Sequence, residues 1–230
     1  MFSFIYDYFN KANKKTKYPP LFYKNEYYEA MNQEIEKPSY GKAKEKLIKA
    51  ATECLMKNGT DGVSVRKICA EAGVSVGLIN YHYPSLQNLI ADAYKDLALS
   101  LLERAINSAN DVQGTPEEKL SKFLQTSFDN ISMNRRTLRA WIVFWGMIES
   151  SPPVKEAHDI ANKAFEGFLE NLFEELNKQT PLMTTPRLAA IGLTAMQDGL
   201  WLEFGLQSGT FTANEAHALC ELWINSIKKS

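Results

Sequence analysis

From Ser39 onward, every stretch of this chain between turn residues spaces its apolar side chains three and four apart, and none alternates convincingly as a strand. That periodicity points to an all-α fold. The breaks are chemically marked: Gly59, Gly73, Gly114-Thr115-Pro116, Ser151-Pro152-Pro153, Thr185-Pro186 and Gly209-Thr210 supply turn and start signals. They divide the chain into nine predicted helices, at about 42–57, 65–72, 76–83, 86–107, 116–132, 135–150, 153–178, 185–207 and 213–228. Ser39, Ser64, Ser75 and Ser85 stand where a hydroxyl can cap free backbone amides, and Gly59 and Gly73 stand where a helix ends. The fourth helix would be roughly 35 Å long, enough to connect two domains.

Residues 1–40 stand apart. They hold eleven of the 26 aromatics in a chain with 12 Phe, 10 Tyr and 4 Trp, yet almost no aliphatic residues, and Pro19, Pro20 and Pro38 interrupt any regular pattern. The reading is a poorly ordered aromatic-rich extension, either an upstream stretch made part of the chain by a start-site choice or a packing arm or partner-binding tail.

Charge and cysteine usage narrow the function classes. With 26 Lys and Arg against 27 Asp and Glu, the formal net charge is -1, so global basicity does not announce a nucleic-acid or membrane-surface protein. Cys54, Cys69 and Cys220 lie far apart with no CxxC pair, which argues against a disulfide framework and a zinc site. His82, His158 and His217 fall on different predicted helices without acidic or cysteine ligands at metal spacing, so no metal site is expected. There is no G-x-S-x-G elbow, P-loop or dinucleotide fingerprint, and no enzyme activity or cofactor is expected; a helical enzyme with an unfamiliar site has no positive feature behind it. No apolar run approaches the roughly 18 residues of a membrane span, and no signal peptide opens the chain. The expectation is a soluble cytoplasmic protein without membrane partners.

Residues 64–83, SVRKICAEAGVSVGLINYHY, have the spacing of a helix-turn-helix: Val65, Ile68 and Cys69 form an apolar face, Gly73 makes the turn, and Val74, Leu78 and Ile79 pack the third helix on the second. An ordinary helical hairpin shares that spacing. Local charge tips the balance, because residues 41–85 carry seven Lys and Arg against four acids, a surplus of three in a chain whose total is -1. A basic end on a mildly acidic protein is the footprint of phosphate contact.

In order and spacing, Ser64, Ile68, Ala72-Gly73-Val74-Ser75, Gly77 and Tyr81-His82-Tyr83 resemble the N-terminal domain of TetR-family transcriptional regulators. The resemblance covers about residues 41–95 and implies a DNA-binding domain at 41–85. It implies that Arg66, Ser75, Val76, Leu78, Asn80 and Tyr81 face the major groove, with Ser64, Gly77 and His82 beside them. Arg66 would pair with guanine or phosphate, Asn80 with adenine, and Val76 or Leu78 with thymine methyls, while first-helix lysines such as Lys46 grip the backbone. Many family members carry Tyr at the place of Asn80 and Lys at the place of Leu86, both tied to phosphate contacts, so this chain must hold the backbone differently, with His82 or Tyr81 as substitutes. His82 and Tyr83 also have a plain packing role open to them, between the third and fourth helices.

In the C-terminal half, RAWIVFWGMIE puts Trp141, Phe144, Trp145 and Ile148 on one helical face, and MQDGLWLEFG sets Asp198 three residues before Trp201. These aromatics suit a packed core. They also suit a pocket that attracts a cation, because a carboxylate and ring faces both favour positive charge. The two stretches resemble the C-terminal domain of the choline-responsive, BetI-type repressors, which implies an effector-binding and dimerisation domain over 86–230 and a quaternary-ammonium effector held by Trp141, Phe144, Trp145, Asp198 and Trp201. Ala189, Gly192, Ala195 and Gly199 would admit a close partner helix, and Leu219, Leu222, Trp223 and Ile227 give the last helix an apolar stripe. A monomer could bury both surfaces. The resemblance implies a homodimeric repressor on a palindromic double-stranded DNA operator, released by a small-molecule effector with the fourth helix as lever. The alternatives are the same repressor sensing a fatty-acyl, aromatic or drug-like ligand, and a helical DNA-binding protein without inducer.

Overall fold

The structure, a computed structural model, describes residues 41–206 and 209–229. The expectations for residues 1–40, including Ser39 as a cap, lie outside the described residues. Nine α-helices occur among them: α1 (Lys42–Asn58), α2 (Val65–Ala72), α3 (Val76–His82), α4 (Leu86–Asn110), α5 (Pro116–Ser127), α6 (Arg135–Met147), α7 (Pro152–Gln179), α8 (Pro186–Leu206) and α9 (Ala213–Ser226), with a short 3-10 turn at Gly59–Gly62. An isolated β-bridge pairs Leu182 with Lys228. No helix among the described residues is long and apolar enough to cross a membrane.

Local chemistry accounts for most helix ends. Ser64 Oγ accepts from the Lys67 amide at 3.2 Å, and Ser85 Oγ from the Asn88 amide at 3.3 Å. Thr115 and Thr212 close reciprocal capping boxes with Glu118 and Glu215. Gly73 ends α2 in the left-handed conformation, φ 60 and ψ 46, which lets the Val74 amide reach the Cys69 carbonyl at 3.0 Å. Two starts differ from expectation. α1 begins after Gly41, whose lack of a side chain leaves the first amides uncapped, and Ser75 occupies the N-cap of α3 without a side-chain hydrogen bond to the first-turn amides.

Two helices are shorter than their periodicity predicts. α5 stops at Ser127 rather than near 132, because the Asp129 carboxylate draws the Ile131 and Ser132 amides to 2.9 and 3.1 Å and also binds the Arg104 guanidinium. α6 stops at Met147, where the Ser150 and Ser151 amides both fold back onto the Met147 carbonyl before the two prolines that open α7.

Leu47, Ile48, Ala51 and Leu55 of α1 are buried with Ile68, Cys69 and Ala72 of α2 and Ile79 of α3, so the first three helices share one small core. α4 follows α3 after Ser85 and runs on beneath them; at 25 residues it is about 38 Å long. Its first turns bury Leu89, Ile90 and Ala93, and its later turns pack on α5 and α7. α7 in turn packs on α8, with Phe123, Phe144 and Phe173 among the fully buried side chains. α1 also docks on α6, giving the N-terminal helices a second attachment besides α4.

Candidate nucleic-acid interface and ligand cavity

The sequence of α3 divides its side chains sharply by exposure. Ile79 is 1% exposed and Tyr83, just past the helix, 4%, whereas Val76 is 44% and Tyr81 82% exposed. Ser75, Gly77, Asn80 and Arg66 are also exposed, while Ser64, Leu78 and His82 are half-buried. An exposed Val and Tyr on a seven-residue helix leave a surface with apolar, amide and guanidinium groups together. Tyr81 meets the His82 ring edge-on at 5.0 Å, and Tyr83 packs inward with the Lys44 ammonium 4.8 Å above its ring.

The basic residues are not equivalent. Lys42, Lys46 and Lys49 are exposed on α1. Lys57 is held by Glu71 at 3.0 Å and Glu53 at 3.4 Å, and Lys67 bonds the Asp61 carbonyl. These two cations serve the packing of α1, α2 and the 3-10 turn.

A second feature lies among α4, α6, α7 and α8: a cavity of about 60 Å³ bordered by Trp141, Trp145, Trp201 and Asp198. Trp141 stacks on Trp145 at 5.9 Å and 29°, and on Trp201 at 6.1 Å and 21°. Tyr94, from α4, meets Trp141 edge-on at 5.3 Å, and its hydroxyl lies 2.9 Å from His158 Nδ1 on α7. Trp201 Nε1 donates to the Ser127 carbonyl at 3.2 Å, which fixes that ring. Among the described residues, no Lys or Arg borders the cavity.

Burial, aided by the nearby Glu166 carboxylate, pushes the Asp198 carboxyl up to about 6. At neutral pH it is therefore an anion in a poorly solvated aromatic setting. Burial, with Asp198 nearby, raises the Tyr94 phenol as well, and burial lowers the His158 imidazole, so both are neutral there. The arrangement offers a carboxylate amid ring faces, which is an attractive setting for a small cation.

Four of the five predicted pocket residues, Trp141, Trp145, Asp198 and Trp201, border this space. Phe144 does not. It is fully buried behind the wall, edge-on to Tyr94 at 5.0 Å. The geometry of a helix explains the split: Trp141 and Trp145 are one turn apart, whereas Phe144 is rotated to the other side of Trp141. Tyr94, His158, Asn162 and Phe165 also border the cavity. Nothing in their local sequence marked them, because they meet the tryptophans only when α4 and α7 pack against α6 and α8.

The small residues of α8 have mixed fates. Ala189 is buried, and a Cβ on Gly192 would lie 2.7 Å from Trp223 Cζ2, so these positions accommodate this chain's own packing. Ala195 and Gly199 remain exposed. Around them the outer face shows Leu188, Ile191, Leu202 and Leu206 on α8 and Leu219 and Leu222 on α9, all exposed, while Trp223 turns inward against Phe173.

Comparison with known proteins agrees with this layout. Residues 47–93 match the family described as bacterial regulatory proteins, tetR family, and residues 116–228 match that described as BetI-type transcriptional repressor, C-terminal. The HTH-type transcriptional regulator BetI of Escherichia coli O17:K52:H18 is 26% identical over 179 residues, covering 77% of this chain and 90% of that protein. The crystal structure of a candidate transcriptional regulator from Pseudomonas aeruginosa PAO1 is 36% identical with a TM-score of 0.72, over 80% of this chain and 88% of that one. A candidate regulator from Saccharomonospora viridis, crystallised in complex with choline, shares the fold at 17% identity and a TM-score of 0.71, over 82% of this chain and 98% of that one.

Proposed function

The chain belongs to the tetR family of bacterial regulatory proteins with a C-terminal half of the BetI repressor type, and from that premise we propose that it is a homodimeric, cytoplasmic repressor released from its operator by a small quaternary-ammonium effector such as choline. The observation that carries this reading is the course of α4. It starts at Ser85, directly after the exposed α3, and places Tyr94 in the wall of the aromatic cavity. One rigid helix thus touches both the candidate DNA-reading unit and the candidate effector.

The charge and size of the cavity favour a small cation over the acyl or drug-like alternatives. About 60 Å³ is the room of a few waters, which suits a small ion better than a long acyl chain. Asp198 supplies the counter-charge, and three tryptophans supply ring faces. The choline complex of the S. viridis regulator of the same fold supports this choice.

On DNA, Arg66, Ser75, Val76, Asn80 and Tyr81 would meet base edges and Lys46 the phosphates, with Ser64, Gly77, Leu78 and His82 at the margin of the contact. The exposed apolar face of α8 and α9 would pair two copies through a four-helix bundle and present two reading units to a palindromic site. Release requires that the effector bind the DNA-incompetent arrangement more tightly, since equal affinity shifts nothing. The test is selection of a preferred duplex from a random library, followed by titration of the complex with choline. Displacement of the selected duplex by choline, and not by potassium chloride of equal ionic strength, is the expected result; unselective DNA binding, or a complex indifferent to every quaternary amine tried, overturns the reading.

A further inference from the structure

A second and larger opening lies where α1 and the turn after α3 meet α4 and α7. This cleft measures about 330 Å³, in the range of small-molecule sites, and none of its lining residues borders the aromatic cavity. Each long helix turns one stripe toward it: Asn88, Asp92 and Lys95 from α4, and Pro153, Glu156 and Ile160 from α7, at the three- and four-residue spacing of a single helical face. The charges in the cleft are unequally matched. Lys44, from α1, stands 4.8 Å above the Tyr83 ring and reaches the Asp92 carboxylate at 3.9 Å. Lys95 and Glu156 enter no ion pair among the described residues. Asn88 Oδ1 accepts from Ser85 Oγ at 2.7 Å, so its amide nitrogen is turned to other acceptors. One ammonium and one carboxylate thus border the same space from different helices without neutralising each other, and Ile160 offers aliphatic surface beside them.

We propose that this cleft is a second small-molecule site, for a zwitterionic amino acid with a short aliphatic chain, whose carboxylate is received by Lys95 and the Asn88 amide and whose ammonium is received by Glu156. A simple anion would face the Glu156 carboxylate, and a simple cation would face the Lys95 ammonium, so either meets repulsion along with attraction. A zwitterion meets attraction at both ends, through charge-assisted hydrogen bonds. Because α1 belongs to the N-terminal helices and α7 to the C-terminal ones, an occupant of the cleft lies against both and biases how they sit together. The inference uses none of the residues of the aromatic cavity, so it stands or falls apart from the quaternary-ammonium reading.

The test is calorimetric titration of the full chain with glycine, 4-aminobutyrate and 6-aminohexanoate, three zwitterions of increasing length, and with butyrate, which keeps only the carboxylate. At least one of the three should bind with one molecule per chain, and butyrate should bind about tenfold more weakly or not at all, since it forgoes the bond to Glu156. Lys95→Gln and Glu156→Gln, each a neutral side chain of similar reach, should each weaken the zwitterion by about tenfold. Absence of binding by all three zwitterions, butyrate binding as tightly as they do, or an affinity that survives both substitutions overturns the proposal. Should a variant fail to fold, the wild type answers by NMR: the bound zwitterion should shift the backbone amides around Lys95 and Glu156, and shifts confined to other parts of the chain overturn the proposal. Choline plays no part in any of these readings, so their failure leaves the cation-sensor reading intact, and its failure leaves them intact.

Discussion

Arg139 donates through Nη1 to the backbone carbonyl of Lys57, 2.6 Å away, and so ties α6 to the C-terminal turn of α1. Arg136, one turn earlier on α6, pairs with Glu53, and Lys57 continues the chain of charges to Glu71 on α2. The same helix supplies Trp141 and Trp145 to the cavity. The three N-terminal helices are thus held at two points: the start of α4, and this clamp on α6. On the proposed reading, a cation settling among the indoles would press on the element that grips α1.

If α6 transmits part of the signal, Arg139→Ala should reduce the response to effector more than it reduces DNA binding. The expected stability loss is about 1 kcal/mol, the worth of one hydrogen bond. Operator affinity without effector should change little, while the factor by which saturating choline weakens the complex should shrink. Fluorescence anisotropy with and without choline reads both quantities. An undiminished response would assign the coupling to α4 alone.

The high carboxyl pKa of Asp198 makes two measurements depend on pH. An acid whose folded-state pKa is raised stabilises the fold below its unfolded value and loses that contribution as pH climbs towards the folded value, here from about 4 to about 6. Asp198→Asn should therefore melt like the wild type at pH 4 and higher than it at pH 7, as followed by differential scanning fluorimetry. Choline affinity should run the other way in the wild type. It should fall roughly tenfold per unit below pH 6, because only the anion attracts the ligand, and Asp198→Asn should bind weakly without that slope. Glu166, Tyr94 and His158 also face this region; burial raises the Tyr94 phenol and lowers the His158 imidazole, which favours the neutral form of both, so Asp198 dominates the upper part of the profile.

The helical order and the turn chemistry were legible because each is written in adjacent residues. Ser64, Gly73 and Ser85 act within a few positions of themselves, and α2, α3 and α4 begin as their spacing predicts. The end of α5 was not, because the carboxylate that stops it is held by Arg104, 25 positions earlier. The cavity divides in the same way. Trp141, Asp198 and Trp201 announce themselves as bulky or charged residues on apolar helices, whereas Tyr94 and His158 acquire meaning only when α4 and α7 bring them within 2.9 Å of each other.

Arg66 and Lys46 should fail differently if one reads bases and the other phosphates. Arg66→Ala should weaken the selected operator by about 1–3 kcal/mol and leave binding to unrelated duplexes nearly unchanged, narrowing the gap between them. Lys46→Ala should weaken both alike and lower the salt dependence by about one counterion. Anisotropy titrations on two duplexes at several salt concentrations separate the cases; a uniform loss for Arg66→Ala would reassign it to the backbone.

The outer face of α8 and α9 gives the last test, because two substitutions a few residues apart in space should have opposite signatures. Leu222 is 66% exposed, so Leu222→Glu meets water in a monomer and a desolvated neighbour in a dimer. If two copies pair there, the variant should sediment as a folded monomer with unchanged helicity and lose most of its operator affinity, since a single reading unit forfeits the second half-site. Gly192→Ala attacks from within. Its new Cβ would stand 2.7 Å from Trp223 Cζ2, forcing the α8–α9 pair apart inside each chain, so thermal stability should drop even at concentrations where association is saturated. A Leu222→Glu protein that remains dimeric and fully operator-binding would place the interface elsewhere.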